Sequence, residues 1–354
     1  MKGIRWLLLF FPVAVAAEFL HWGDLVIFAT AALAIIPIAG VLGEATESLA
    51  EKTGPQIGGL LNASLGNAAE LIITIVAISA GKMALVKASI IGSILGNLLF
   101  VLGLSILLGG LKHGTQKFDR NRVSVDATLV ILAAITISIP SLFNELIEPN
   151  VQRVETLSLA TAAVVLVLYI LSIIYTLRQP ATTRISHTPA IEPTHTGPHW
   201  SVRRAITIML VAVAGLAVMS EFLVGSLETV TTTFGLSEFF VGIILVPLIG
   251  NVAEHLVAVQ VALKDQMDLS LSIALGSSLQ IALFVAPLLV FVSLFMGNPM
   301  TLEFNHPEIL AMVAASIIAA LVAIDARSNW LEGAMLLAVY LILGIGFFFL
   351  PAMI

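Results

Sequence analysis

The sequence predicts an all-α integral membrane protein with eleven transmembrane helices, made of one extra N-terminal helix and two inverted five-helix repeats. Three observations support this fold class. Only 11% of the residues are charged, 59% are hydrophobic and the mean hydropathy is +1.06, whereas soluble domains carry about 25% charged residues. Apolar runs of membrane-spanning length recur along the chain, and the motif Gly-Asn-x-Ala-Glu occurs twice inside such runs.

The apolar runs define the predicted spans. About 20 apolar residues cross a bilayer as a helix, whereas the strands of a membrane barrel are shorter and alternate in polarity. The N-terminal run has the charge pattern of a signal peptide, but a second apolar run follows after a short polar break, which favours a first transmembrane helix. The predicted spans are 4–20, 25–43, 57–80, 84–108, 124–142, 156–177, 203–224, 238–263, 269–296, 308–324 and 330–350.

Lysine and arginine are unevenly distributed over the connections between these spans. With the N-terminus in the cytoplasm, the far side holds only Lys82, Lys87 and Arg153, and the cytoplasmic side holds the rest. This is the asymmetry that the positive-inside rule describes. We therefore expect a multi-pass protein of a cell membrane, with a cytoplasmic N-terminus and an external C-terminus. The short N-terminal extension favours a prokaryotic plasma membrane over a vacuole.

The duplicated motif sets the expected domain organisation. It begins at Gly66 and again at Gly250, and the same spacing relates Gly92-Ser93 to Gly276-Ser277. Such a constant spacing indicates duplication. Because five spans separate the copies, they cross the membrane in opposite directions, an arrangement that places a substrate site near the midplane. The predicted divisions are an N-terminal helix at 1–23, a first repeat at 24–177, a cytoplasmic linker at 178–202 and a second repeat at 203–354.

Each copy of the motif places a carboxylate deep in an apolar span. Glu70 and Glu254 lie about 20 Å along their spans, and Asn67 and Asn251, three residues earlier, share their helix faces. A charge in the bilayer centre costs roughly 3 kcal/mol or more unless it is protonated or paired, and no basic residue stands beside either run. We expect the two glutamates to bind a proton or a metal cation in turn, rather than to act as protonated links between helices.

The span after each motif supplies polar partners. Ser93 and Asn97 are four residues apart, and Ser277 and Gln280 are three apart, so each pair shares a helix face. The glycine before each motif permits either close helix packing or a helix break that frees backbone carbonyls. With the two glutamates as metal ligands, these groups form an all-oxygen shell. Such a shell suits Ca²⁺, with Mg²⁺ as the second candidate.

Four further residues are candidates for supporting roles. His255 follows the second glutamate and has no counterpart in the first copy, where Leu71 stands. It either tunes that glutamate and carries protons, or packs as a hydrogen-bonded core histidine. Glu44 and Glu47 at the cytoplasmic mouth, and Glu221 at a similar place in the second repeat, are candidate access-path residues. The alternatives are a solvated loop for the cluster that contains Glu44 and Glu47, and a carboxylate at the water boundary for Glu47 and Glu221.

At these motifs the chain resembles the Ca²⁺/H⁺ antiporters, the cation/proton exchanger branch of the Ca²⁺:cation antiporter superfamily. The stretches "GNAAELIITIVAI" and "GNVAEHLVAVQVAL" look like the two hallmark repeats of that branch, and the resemblance covers nearly the whole chain. It implies that Glu70 and Glu254 bind Ca²⁺ and protons alternately. The Gly-Asn-x-x-Glu form favours protons over the Na⁺ used by relatives with a more hydroxyl-rich repeat. The resemblance also implies polar positions around the glutamates at Asn67, Asn251, Ser93, Ser277 and Gln280.

The expected function is secondary active transport, in which proton influx drives Ca²⁺ export by alternating access around the two glutamates. A Na⁺/Ca²⁺ exchanger would require Na⁺, and a cation channel would conduct without a counter-ion. A membrane-embedded enzyme would need a catalytic motif, and the sequence contains none, so we expect no enzyme activity and no cofactor. The expected partners are Ca²⁺, protons and the lipid bilayer. A net charge of −6 argues against nucleic acid, and a homo-oligomer is left open.

Overall fold

The computed structural model describes residues 4–147, 151–178 and 200–350. Most of the predicted linker 178–202 lies outside these residues, so its role stays a prediction. The described chain is helical apart from one pair of two-residue strands. The helices are α1 (Phe10–Phe19), α2 (Asp24–Leu65), α3 (Ala68–Ser79), α4 (Met83–Leu95), α5 (Leu102–His113), α6 (Arg120–Ile147), α7 (Val151–Arg178), α8 (Val202–Gly225), α9 (Leu227–Phe234), α10 (Glu238–Phe240), α11 (Val246–Ala262), α12 (Met267–Gln280), α13 (Ala286–Phe295), α14 (His306–Ile324) and α15 (Trp330–Phe349).

Nine helical segments of the described chain are long and apolar enough to cross a membrane, which confirms the all-helical membrane class but not the predicted count of eleven. The first predicted span is divided into a 3₁₀ turn, Arg5–Leu9, and the short helix α1. Pro12 contributes to this division because it has no N–H to bond the carbonyl of residue 8. The third predicted span is interrupted before α3, a helix of 12 residues.

Helix α2 is sharply bent. A Cβ atom added to Gly58 would overlap the carbonyl oxygen of Ala50, although residues eight apart in a straight helix are separated by about 12 Å. The sequence Gly-Pro at 54 and 55 falls between these two residues, and proline is the commonest cause of a helix bend. The apolar part of α2 up to Thr53 is therefore one crossing, and the chain turns back after it, close to the predicted start of the third span.

The chain divides into two compact units, and each draws on both predicted repeats. The first unit comprises Met1–Ser89, Pro193–Glu254 and Gly346–Ile354, and the second comprises Ile90–Glu192 and His255–Ile345. The division falls inside α4, α11 and α15. The repeats are defined by order along the sequence rather than by contacts, so the predicted repeat boundaries stay a prediction.

In the first unit, α2 packs along α8 and α1, and α3 also packs against α8. The buried face of α2 repeats every three or four residues, the period of a helix with one packed side. Much of this face is alanine, which allows neighbouring helices to approach closely. The buried apolar residues of this face are Ile27, Ala31, Ala34, Ile35, Ile38, Leu42, Ala45 and Leu49.

In the second unit, α6 packs against α7, α12 and α14. The two strands, β1 (Gln116–Lys117) and β2 (Arg327–Ser328), form a short antiparallel pair that the sequence did not predict. The Gln116 side-chain amide donates to the carbonyl of Ala262 at 3.0 Å and to Asp265 Oδ1 at 2.9 Å. This contact holds the C-terminal end of α11, the helix that carries the second copy of the motif.

In the described part of the chain, three π-helical turns interrupt the regular helices, at Gly96–Val101, Val241–Leu245 and Ile281–Val285. A π turn inserts one residue into an α-helix and is frequent at functional sites. The first contains Asn97 and the third follows Gln280 directly, so they occupy matching places in the duplicated sequence. Of the predicted polar positions, Asn97 therefore lies in a π turn and Gln280 directly before one, whereas Ser93 and Ser277 lie in the regular helices α4 and α12.

Candidate functional site

The first copy of the motif lies at a helix break. Helix α2 ends at Leu65, and Asn67, with φ −102° and ψ 31°, stands immediately before α3. The backbone N–H of Gly66 still donates to the backbone carbonyl of Asn62 at 2.8 Å, so the break begins after Gly66. As a result Glu70 lies in the first turn of α3. The unpaired N–H groups of a helix start favour a nearby negative charge.

Both polar residues of this copy are buried. Asn67 is 3% exposed and Glu70 is 6% exposed. The Glu70 Oε1 atom forms no hydrogen bond with any described residue. A buried carboxylate oxygen without a partner is costly, and a bound proton or cation would remove that cost. The burial of Glu70 therefore favours the binding of a proton or a cation there, as the sequence predicts.

The second copy of the motif lies within an unbroken helix, because α11 continues through it from Val246 to Ala262. Here the glycine permits close approach. A Cβ atom on Gly250 would lie 3.6 Å from Ile73 Cδ1 and 3.9 Å from Glu70 Cγ. The sequence allowed either a break or close packing at each glycine, and the structure has a break at the first and close packing at the second.

The structure brings the two predicted glutamates together within the first unit. Glu70 and Glu254 are near enough for their charges to interact unfavourably. Glu254 is partly exposed, and Asn251, one helical turn before it, is 2% exposed. Among the described residues no group of three or more His, Cys, Asp or Glu side chains could hold a metal ion. The acidic part of the site is thus a pair of carboxylates accompanied by buried amides.

The predicted polar partners of the following spans lie in the second unit. Ser93, Asn97, Ser277 and Gln280 are all buried, with exposures of 8% or less. The Asn97 side-chain amide donates to the Ser277 hydroxyl at 3.0 Å. This bond joins the polar positions of the two sequence copies directly, and it leaves the Asn97 carbonyl oxygen as a potential cation ligand.

His255 is the first residue of the second unit after Glu254 in the chain. It is 7% exposed, and neither ring nitrogen forms a hydrogen bond with a described residue. Its ring lies edge-on to Phe100, with the centroids 6.1 Å apart and the planes at 63°. The expected alternative of a hydrogen-bonded core histidine is therefore not what the described residues form. Phe100 lies in a π turn three residues after Asn97, and sequence reasoning did not identify it as a neighbour of the histidine.

The three candidate access-path residues have different surroundings. Glu44 Oε2 forms an ion pair with Arg5 Nη2 at 2.7 Å, a contact that the sequence did not predict. Glu47 is partly exposed and near Glu44 and Glu51, while Glu221 is exposed on α8. Glu44 and Glu47 belong to α2, so the alternative interpretation of this segment as a solvated loop was wrong. Residues 44–53 contain no glycine or proline, so nothing in this acidic stretch interrupts the helix.

The sodium/calcium exchanger protein family matches residues 24–178 and 204–349 of the chain. The Ca(2+)/H(+) antiporter of Aphanothece halophytica is 43% identical over 358 residues, covering 98% of this chain and 96% of that relative. The Ca(2+)/H(+) antiporter ChaA of Bacillus subtilis is 40% identical over 347 residues, 96% of each chain. The structure of native YfkE superimposes with a TM-score of 0.85 at 38% identity, covering 98% of this chain and 100% of that chain. The similarity thus extends across both predicted repeats.

Proposed function

Because this chain belongs to the sodium/calcium exchanger protein family, we propose that it exchanges Ca²⁺ for H⁺ across a membrane through a site formed by Glu70 and Glu254. Relatives that are named Ca(2+)/H(+) antiporters at 40–43% identity over nearly the full length support this function. The proximity of the buried Glu70 to the partly exposed Glu254 is the single observation that carries the assignment of the site. The protein is a transporter and not an enzyme.

We further propose the architecture of an extra helix and two inverted five-helix repeats. The family matches the chain in two segments, 24–178 and 204–349, and these nearly coincide with the repeats inferred from sequence. Eleven crossings follow if the 3₁₀ turn with α1 forms the first, and the end of α2 with α3 forms the third. The same repeats give a mechanism in which one set of helices rocks against another around a fixed site.

The carboxylate pair explains why cation and proton exchange for each other. Two carboxylates close together repel when both are ionised, and either a divalent cation or added protons relieves that repulsion. Ca²⁺ bound to Glu70 and Glu254 is therefore released when protons reach the pair. The empty, doubly charged site is costly to enclose in a medium of low dielectric constant. Only the Ca²⁺-loaded and protonated forms cross, which makes the exchange obligatory.

Neutral oxygens complete the proposed Ca²⁺ shell, since Ca²⁺ takes six to eight oxygen ligands. From the sequence we assign this role to the side-chain oxygens around the glutamates, and a proton-carrying or tuning role to His255. The orientation we propose has the N-terminus in the cytoplasm and the C-terminus outside, so that Ca²⁺ leaves the cytoplasm as protons enter. The proposed neutral ligands are Asn67, Asn251, Ser93, Asn97, Ser277 and Gln280.

The test is ⁴⁵Ca²⁺ uptake by inside-out membrane vesicles with an acidic interior. We expect uptake that follows the imposed pH gradient, stops when a protonophore is added, and does not change when Na⁺ replaces K⁺. Uptake that depends on a Na⁺ gradient would instead place the chain among Na⁺/Ca²⁺ exchangers. Ca²⁺ flux that persists without any counter-ion gradient and saturates poorly would indicate a channel.

The hydrogen bond between Asn97 and Ser277 gives a second prediction. If both side chains serve the Ca²⁺ shell, Asn97→Leu and Ser277→Ala should each raise the KM for Ca²⁺ by roughly three- to tenfold. The double variant should differ little from the more severe single variant, because the two groups act through one shared bond. The measurement is the same uptake assay over a range of Ca²⁺ concentrations.

The matched control for this cycle is Ser278→Ala. Ser278 is equally buried, but its hydroxyl bonds Ala274 in its own helix at 2.9 Å. Its removal should leave the KM within about twofold of native. Strictly additive effects of the Asn97 and Ser277 variants would show that the two residues do not act through their shared bond. An unchanged KM in both would remove them from the proposed ligand shell.

A further inference from the structure

The N-terminal segment contacts α2 through an ion pair that lies beside a cavity. Arg5 begins the 3₁₀ turn that precedes α1, and its guanidinium lies 2.7 Å from the Glu44 carboxylate. The Arg5 side chain is 47% exposed, whereas the Glu44 side chain is only 9% exposed. The Glu44 carboxylate is thus largely buried, and the guanidinium of Arg5 from the N-terminal segment covers it.

A narrow, mostly apolar cavity with room for about one water molecule lies at this ion pair. One wall is a single face of α2, formed by residues three or four apart. The N-terminal segment provides a second wall, and Ala253 of α11 a third. Ala253 directly precedes Glu254, so the cavity reaches the helix that carries half of the proposed Ca²⁺ site. Its lining residues are Ile4, Arg5, Ile36, Pro37, Gly40, Val41, Glu44 and Ala253.

The position of Glu44 along α2 places this cavity near a membrane boundary. Helix α2 begins at Asp24, and twenty residues of helix extend about 30 Å, the thickness of the hydrocarbon core. Asp24 accepts a hydrogen bond from Thr229 at the opposite end of this crossing. Arg5 meets Glu44 at the end that the proposed orientation assigns to the cytoplasm, the side from which Ca²⁺ is taken up.

We propose that Arg5 competes with entering Ca²⁺ for the carboxylate of Glu44. Ca²⁺ must displace the guanidinium from Glu44 before it passes along the cavity toward Glu254. This inference rests on the proposed function and its orientation. A half-exposed ion pair is weak, so a divalent cation can replace the arginine, whereas a monovalent cation gains less from the same carboxylate. Arg5 therefore lowers the apparent affinity for Ca²⁺ at the cytoplasmic face and discourages occupation of Glu44 by monovalent cations.

The test is the KM for Ca²⁺ in inside-out vesicles, which present the cytoplasmic face to the added ion. We expect Arg5→Gln to lower the KM by roughly two- to fivefold, the size of effect that such ion pairs have, with little change in maximal rate. Arg5→Lys keeps the competing charge and should restore most of the native KM. In a chain that also carries Glu44→Gln, Arg5→Gln should no longer lower the KM, because the competition needs both groups.

Arg203→Gln is the matched control. Arg203 is an exposed arginine of the same unit, at the start of α8, and its replacement removes the same charge without touching the cavity. If Arg5→Gln changes the KM no more than this control does, and only lowers thermal stability, Arg5 merely fastens the N-terminal segment and the inference is wrong. If the native chain shows no proton-driven uptake at all, the proposed function itself fails, a result distinct from either outcome for Arg5.

Discussion

Replacing either Glu70 or Glu254 with glutamine is expected to abolish proton-driven Ca²⁺ uptake. Glutamine keeps the shape of the side chain but cannot ionise, so it removes both a charged Ca²⁺ ligand and a proton acceptor. Loss of one charged partner from a buried cluster costs about 3 kcal/mol or more, which corresponds to a decrease of at least 100-fold. Uptake of ⁴⁵Ca²⁺ into acid-loaded inside-out vesicles should fall to background in each variant.

Two further observations separate a transport role for these glutamates from a structural one. The control Glu18→Gln changes a partly exposed glutamate of α1 in the same unit, and it should transport normally. Both site variants should still reach the membrane and should keep their melting temperature in detergent, because glutamine can form the hydrogen bonds of a protonated glutamate. Native uptake in both site variants would mean that the paired glutamates only hold helices together.

The second large effect is expected at Gly250. The structure has room for one Cβ atom there, at 3.6 Å from Ile73 and 3.9 Å from Glu70, both ordinary contact distances. Gly250→Ala should therefore transport within about twofold of native. Gly250→Leu adds four carbons beside Glu70, three more than alanine does, and overpacking of this kind typically costs about 1–3 kcal/mol. We expect its uptake to fall by roughly tenfold or more, because the leucine occupies the space that Ca²⁺ needs.

The control for this pair is Gly346→Leu. Gly346 also lies within a helix, α15, and a Cβ atom there would meet nothing within 4 Å. The Gly346→Leu variant should fold and transport like the native chain. This result would show that replacing a helical glycine with leucine does not by itself impair the protein. Equal activity of the alanine and leucine variants at Gly250 would show that the space beside Glu70 is not used by the ion.

The membrane class and the acidic pair could be predicted from the sequence because both depend on local signals. Charge scarcity and apolar run length report burial in lipid directly, and an exact repeat of Gly-Asn-x-Ala-Glu identifies Glu70 and Glu254 without knowledge of contacts. The sequence predicted separate spans at 25–43 and 57–80 because of the polar stretch between them, whereas in the structure α2 continues through that stretch to Leu65 and bends within it.

Other features depend on tertiary contacts that no local pattern encodes. The ion pair of Arg5 with Glu44 joins residues far apart in the sequence, and the sequence indicated Glu44 as a candidate access-path residue without indicating any partner for it. The π turns differ from regular helix by a single inserted residue, which the period of apolar residues does not reveal. The proximity of Phe100 to His255 likewise depends on how two helices cross within the second unit.

The contrast between Gly66 and Gly250 bears on which substitutions each copy of the motif tolerates. An alignment of the repeats would record the same letter in both places, yet the first stands at a break in the backbone and the second admits a neighbouring side chain. Gly66 itself keeps ordinary right-handed helical angles, φ −56° and ψ −42°, and the irregular angles of the break belong to Asn67, whereas side-chain volume is limited at Gly250. A substitution can therefore be tolerated at one copy of the motif and not at the other, although the two residues are identical.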